Sequence, residues 1–311
     1  MSAMKTLRVG TRSTPLALAQ TRLVCARIES ACSSVRCDVV ELSTLGDREQ
    51  GRSIPQLGNK GVFTAELEAA LREGRIDLAV HSAKDLPAKD PPGLCLHAVP
   101  MREDPHDALI CPHAADLGGL EPGSRVGTGS VRRVAQLRRR WPELSYVGLR
   151  GSVGTRLAKC VSRVECDAAV LAVAGLRRLG LEDRIRRVLS VDECVPAGGQ
   201  GALAVQGRAE DRWLGELLGP ICCPLATAEL SCERGVLSMM GAACNVPMGV
   251  LARSDGVRLQ VRVALVSEDG TQSIDLSLSG TAGRADTLAA RVAASLKSAG
   301  AEEILGPSGR A

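Results

Sequence analysis

Two adjacent arginines open a helix in Val126-Gly127-Thr128-Gly129-Ser130-Val131-Arg132-Arg133, directly after a short apolar segment and a glycine turn with two hydroxyls. Free backbone N–H groups and the positive end of the helix dipole favour an anion at such a terminus. Guanidinium forks there suit carboxylate or phosphate. The device repeats in Leu149-Arg150-Gly151-Ser152-Val153-Gly154-Thr155-Arg156, and again in Ala172-Val173-Ala174-Gly175-Leu176-Arg177-Arg178. Ligands of open α/β sheets lie beyond the carboxyl ends of the strands. Arginine at all three strand-to-helix junctions therefore predicts a cleft for a ligand with many negative charges. Arg138, Arg139 and Arg140 fall in later turns of their helix and read as a solvated face.

Two further stretches carry chemistry. Ile76-Asp77-Leu78-Ala79-Val80-His81-Ser82 reads as a buried strand that runs into Ala83-Lys84-Asp85-Leu86-Pro87, so Lys84 and Asp85 stand at a strand's carboxyl end. His81, among apolar neighbours, reads as a packed core histidine. In Gly241-Ala242-Ala243-Cys244-Asn245-Val246-Pro247 a cysteine flanked by small residues is accessible to a partner that needs close backbone approach, or is one more small buried residue.

The elements that must position these groups follow from periodicity. Leu7-Arg8-Val9-Gly10 is a first strand, and Thr11-Arg12-Ser13-Thr14-Pro15 supplies a hydroxyl N-cap and a proline at the first helical position, which puts Arg12 at another strand-to-helix junction. Residues 38–42 form a second strand, 44–60 a long polar loop, and 63–72 a helix stopped by Gly74. Proline-rich stretches at 87–92 and 100–105, and the glycine-rich Pro196-Ala197-Gly198-Gly199-Gln200-Gly201-Ala202, read as connectors. Beyond them come a helix over 226–240, alternating strands over 259–265 and 273–278 joined by Glu268-Asp269-Gly270, and a helix over 287–298. The fold class is α/β: two periplasmic-binding-protein-like lobes, 1–101 with 202–219 and 106–195, and a small C-terminal α+β domain over 222–311.

Composition narrows the function. The chain of 311 residues has net charge +4 and 1% aromatics, with single tyrosine and phenylalanine residues, so base-stacking platforms and generic nucleic-acid binding are excluded. Twelve scattered cysteines, with neither an apolar signal segment nor a CxxC pair, indicate a reducing compartment and no metal site. Residues 1–28 contain no acid, as an organellar presequence would, but Leu7 to Gly10 already reads as the first strand, so the cytoplasm is expected. The longest uncharged apolar run is too short to cross a bilayer.

Taken in order, LRVGTRSTPLAL, GNKGVF, DLAVHSAKDLP, REDPHDAL, VGTGSVRR, LRGSVGTRL, DAAVLAVAGLRRLGL, PAGGQGA and GAACNVP, from Leu7 to Pro247, resemble the porphobilinogen deaminases, or hydroxymethylbilane synthases. The hairpin and the last helix fit that family's third domain in pattern only. The resemblance implies a monomeric transferase of tetrapyrrole and haem biosynthesis, with no nucleic-acid or membrane partner. Four porphobilinogen molecules would lose ammonia and join head to tail into linear hydroxymethylbilane. The growing chain would be held on a covalent dipyrromethane cofactor, itself made of two substrate-derived rings. Each ring carries an acetate and a propionate, so the held chain is a lengthening polycarboxylate, as the arginine-lined cleft requires.

By position in the motifs, the resemblance implies Cys244 as the thioether attachment residue and Asp85 as the central catalytic carboxylate. Arg12, Arg132, Arg133, Arg150, Arg156 and Arg178 would bind cofactor and substrate carboxylates, helped by Thr14, Ser82, Lys84, Thr128 and Ser130. Arg177 has a weaker claim than Arg178. Lys60 would lie in a loop over the site and Gln200 at the interdomain crossing. Gly129, Ala242 with Ala243, and Gln206 depart from the family's usual serine, glycine pair and glutamate. A non-catalytic two-lobed protein binding a polycarboxylate is the alternative, but it leaves Asp85 and Cys244 without a purpose.

Overall fold

The computed structural model describes residues 4–48, 63–241 and 246–305. The first part of the chain forms β1 (Lys5–Arg12), α1 (Pro15–Ala31), β2 (Val35–Leu42), α2 (Leu45–Arg48), α3 (Ala65–Arg72), β3 (Leu78–Ser82) and β4 (Leu94–Ala98). It then builds β5 (Asp107–Ile110), β6 (Arg125–Gly127), α4 (Val131–Arg140), β7 (Ser145–Val147), α5 (Val153–Val161), β8 (Ala168–Ala172), α6 (Val173–Arg178) and β9 (Arg187–Val188). After β10 (Leu203–Arg208) and α7 (Arg212–Leu218) come α8 (Pro224–Met239), β11 (Met248–Ser254), β12 (Arg258–Val266), β13 (Ser273–Thr281), α9 (Ala285–Ser298) and α10 (Ala301–Leu305).

Two sheets share one plan. The first has the order β2-β1-β3-β10-β4 and the second β7-β6-β8-β5-β9. In each, three strands run parallel and a fourth, β10 or β5, lies antiparallel beside the third. That antiparallel strand is the one by which the chain arrives from the other sheet. The fold is thus α/β with two similar lobes, and a three-stranded antiparallel sheet, β11-β12-β13, makes the C-terminal α+β domain with α8 and α9.

Aliphatic side chains fill each core. Leu7, Val9, Val24, Ile28, Leu78 and Val205 pack the first lobe. Leu109, Val126, Leu137 and Val170 fill one face of the second sheet, and Leu149, Leu171 and Leu176 the other. Val236, Val250, Val263, Leu288 and Val292 join α8, the third sheet and α9. β3 is buried almost throughout, and His81 lies in it with its pKa pushed down to about 4 by burial.

Periodicity misses β4, β5, β9 and β11, and the helix α7. β5 is only four residues long, and β4 follows a proline-rich stretch that masks it. The expected loop over 44–60 begins with the single helical turn α2, and its residues from 49 onward lie outside the described ones. Arg138 and Arg139 do more than face solvent: Arg138 donates to the Glu268 carbonyl, and Arg139 pairs with Asp275 of β13. The second lobe thereby touches the C-terminal domain.

The two crossings between lobes run side by side. Glu103 N–H donates to the Gly201 carbonyl at 3.0 Å and Leu203 N–H to the Met101 carbonyl at 3.1 Å. Only glycine suits two positions here. Gly199 (φ +77) and Gly201 (φ +85) are left-handed, and a Cβ would stand 2.9 Å from the Lys84 nitrogen in the first case and 2.2 Å from the Glu103 carbonyl oxygen in the second. Arg102, on the first crossing, pairs with Glu229 at 3.0 Å and Glu233 at 2.9 Å on α8, and donates to the Gln200 carbonyl. Glu233 also accepts from the Gly199 and Ala252 N–H groups. This buried triad ties both crossings to the C-terminal domain. Arg102→Met should therefore leave two buried carboxylates short of their cation and lower stability by about 3–5 kcal/mol, measured by denaturant unfolding. A loss under about 1 kcal/mol, the scale of a surface pair, would contradict the triad's role.

Candidate functional site

The first lobe contributes the carboxyl ends of β1 and β3. Arg12 ends β1, its guanidinium 4.0 Å from an Asp85 oxygen and stacked 4.4 Å over the Phe63 ring. Thr14 caps α1, accepting from the Ala17 N–H at 3.3 Å, with Pro15 at the first helical position. Ser82, the last residue of β3, donates to Gln20. The next three residues, Ala83–Asp85, form one 3-10 turn pinned by Ala83 N–H to the Ala202 carbonyl. That turn sets Lys84 and Asp85, both half-buried, at the rim of the lobe.

The second lobe contributes three junctions in the same manner. Thr128 is buried, and its hydroxyl accepts from the Ser130 N–H. Ser130 caps α4 by accepting from the Arg133 N–H at 3.5 Å, and Ser152 caps α5. Arg150 follows β7, is half-buried, and is matched with no carboxylate among the described residues. Arg156 donates to the Gly151 carbonyl, and Arg178, at the end of α6, to the Gly201 carbonyl. Its neighbour Arg177 instead pairs with Glu103, Asp104 and Glu182.

Arg132 and Arg133 behave differently from the open forks that their position suggests. Both are buried and converge on Asp107, the first residue of β5. Arg132 reaches one carboxylate oxygen at 2.7 Å, and Arg133 reaches the other at 2.7 and 3.0 Å. Arg132 also donates to the Val195 carbonyl and Arg133 to that of Val170. Burial alone would raise the Asp107 carboxyl, but the two guanidiniums override it and hold it well below the usual carboxylate range. Gln200 extends the network. Its amide donates to Asp107 at 2.8 Å, and its oxygen accepts from Lys84 Nζ at 3.3 Å. Burial pushes the Lys84 ammonium down to about 8, against the pull of Asp85 and Asp107.

Asp107 has no assigned role in the sequence reading, though it lies within the REDPHDAL motif. The available signal is an acid opening the apolar run Ala108-Leu109-Ile110, since a buried carboxylate demands a cation.

The two sides form one site. Lys84 feels the charges of Arg132 and Arg133, and Arg156 feels those of Asp85, Arg133 and Arg150. Cations outnumber carboxylates around it. Burial, reinforced by Arg133 and Arg150, lowers the Arg156 pKa, and burial brings Arg178 down to about 10. The Arg132 Nε is buried with no hydrogen-bond partner among the described residues. An anionic ligand would relieve each of these deficits, so the residues present fit a polycarboxylate. A cavity beside Lys84, Ser130 and Arg132 is also lined by Val246 and Met248 of the C-terminal domain. A larger cavity of about 390 Å3 lies between β4 and α8, around His97, Asp90 and Arg234, and contains none of the candidate residues. Lys60 and Cys244 lie outside the described residues. The described cysteines are all free, and among the described residues no cluster suits a metal and no helix is long and apolar enough to cross a membrane.

Comparison with known proteins gives concordant matches. A family model described as "Porphobilinogen deaminase, dipyromethane cofactor binding domain" matches residues 7–216, and one described as "Porphobilinogen deaminase, C-terminal domain" matches 227–298. A protein named porphobilinogen deaminase from Roseiflexus sp. (strain RS-1) is 44% identical over 266 residues, 86% of this chain and 88% of its own length. Another of that name, from Roseiflexus castenholzii (strain DSM 13941 / HLO8), is 41% identical over 299 residues, covering 96% and 98%. Among solved structures, an ABC transporter periplasmic substrate-binding protein from Coxiella burnetii is matched with a TM-score of 0.44 and 14% identity, over 71% of this chain and 94% of that one.

Proposed function

Because the chain belongs to the porphobilinogen deaminase family, and so is a transferase forming hydroxymethylbilane from porphobilinogen on a dipyrromethane cofactor, we propose which of its residues do this work. Cys244 holds the cofactor through a thioether, and Asp85 is the catalytic carboxylate. The chain acts as a cytoplasmic monomer. When bound, the cofactor would supply the free pyrrole α-carbon that accepts the first unit, each later unit being joined to the ring added before it.

Asp85 accepts hydrogen bonds from pyrrole N–H groups and stabilises the positive charge that develops as ammonia departs. Its place supports this role: the 3-10 turn after β3 fixes the carboxylate at the rim, and Arg12, itself stacked on Phe63, stands 4.0 Å from it. Arg150, Arg156, Arg178 and Lys84 hold acetate and propionate groups, and the cap hydroxyls of Thr14 and Ser130 with Thr128 and Ser82 line their approach. Arg132 offers its Nε, which has no partner among the described residues, and Arg133 acts beside it. Gln200 sets the Lys84 ammonium, and Lys60 comes from the loop over the site.

The observation that carries this reading is the turn bearing Asp85, which faces a surplus of half-buried guanidiniums, Arg156 and Arg178 among them, whose charged forms burial disfavours. The direct test is the intact mass of the purified chain. An excess equal to two linked pyrrole rings is expected, present on purification or gained on incubation with porphobilinogen. A chain that stays unmodified under both conditions would contradict the reading.

A further inference from the structure

We propose that Asp107 is a positioning residue for ligand capture: from the start of β5 it holds the Arg132 and Arg133 guanidiniums as a preformed pair and, through Gln200, fixes Lys84 beside Asp85. The inference rests on the function proposed above, and its geometry stands on its own.

Neighbouring residues on a helix diverge by roughly a quarter turn, so two successive arginines do not converge unless something between them draws both in. Asp107 does so, with one oxygen for each guanidinium at 2.7 Å and a side chain that is 0% exposed. The carboxylate comes from the strand that enters the second lobe, Gln200 from the crossing that leaves it, and Lys84 from the first lobe's catalytic turn. One acidic group therefore registers three separately connected segments. The carboxylates are also outnumbered: Arg132, Arg133 and Lys84 exceed Asp107 and Asp85 by one charge, so the cluster stays attractive to carboxylates while its cations no longer repel one another apart. A charge-assisted pair made before ligand arrives removes the ordering cost of two long side chains.

A merely structural salt bridge and a positioning one predict different results. Lys84 faces Asp85, Asp107, Arg132 and Arg133. Removing the Asp107 charge takes away a group that favours the ammonium, so the Lys84 pKa falls further and the cation is lost at lower pH. The test uses the full chain with Asp107→Asn, which keeps shape without charge, and Asp107→Glu, which keeps charge but moves it. Intact mass reports how fast unloaded chain acquires the two-ring adduct from porphobilinogen, and the pH–rate profile reports Lys84.

Both variants are expected to take up adduct at least about tenfold more slowly, and only Asp107→Asn to shift the alkaline limb to lower pH. Normal uptake by a folded Asp107→Glu overturns the proposal whether or not Asp107→Asn folds. So does an Asp107→Asn chain with a lower melting temperature but unchanged uptake and pH profile. If the unsubstituted chain neither carries the adduct on purification nor gains it, the proposed function itself fails, which separates the two cases.

Discussion

Replacing Cys244 with serine is expected to give a folded chain that carries no two-ring adduct and makes no detectable hydroxymethylbilane. Thiols deprotonate near neutral pH far more readily than hydroxyls, and the thiolate is the nucleophile. A serine oxygen needs a neighbouring general base to compete. Folding should survive, because the core between α8 and β11 is made by Val236, Met240, Val246 and Met248 among others, with Cys232 as its buried cysteine. Intact mass, thermal melting and product formation decide the matter together. An adduct retained on Cys244→Ser would move the attachment to another residue. The eleven other cysteines are the natural suspects, and peptide mapping would identify which one.

The second large effect falls on Asp85. Asp85→Asn preserves size and removes charge, and it should lower turnover by about a hundredfold or more, the usual consequence of losing a preorganised charge partner of the transition state. Stability should hardly change. Asp85 is 34% exposed and 4.0 Å from Arg12, and such pairs contribute at most about 1 kcal/mol. Cofactor attachment should remain largely possible, so the variant is expected to show an adduct by mass and little product by steady-state assay. Near-normal turnover would remove Asp85 from its central role. Loss of turnover together with unfolding would instead assign it to the scaffold.

Asp85 and Cys244, the two residues proposed for chemistry, are singled out in the sequence for different reasons. Asp85 follows a near-continuous apolar strand, and a short strand running into a polar turn is a local pattern. The Arg12, Arg150, Arg156 and Arg178 junctions are equally local, since strand, glycine or hydroxyl cap and helix succeed one another within about ten residues. Cys244 stood out only through its ordered motifs, since a cysteine among small residues is ambiguous by itself. The missed strands β4, β5, β9 and β11 are hidden by neighbouring prolines, by shortness, or by a glycine-rich approach.

The sequence by itself determined the alternation of strands and helices, the aliphatic cores and the strand ends where cations gather, because each depends on side-chain periodicity or on caps a few residues apart. Only the tertiary structure decided which charges meet. Asp107 lies 25 and 26 residues from the arginines it holds, and Arg102 lies 127 and 131 residues from its two glutamates. Those pairings exist because β5 and β10 enter their sheets antiparallel, laying the two crossings side by side. Local pattern reports that a side chain is buried or capped. Which opposite charge shares its burial depends on sheet order and register, and those are settled by packing the whole chain.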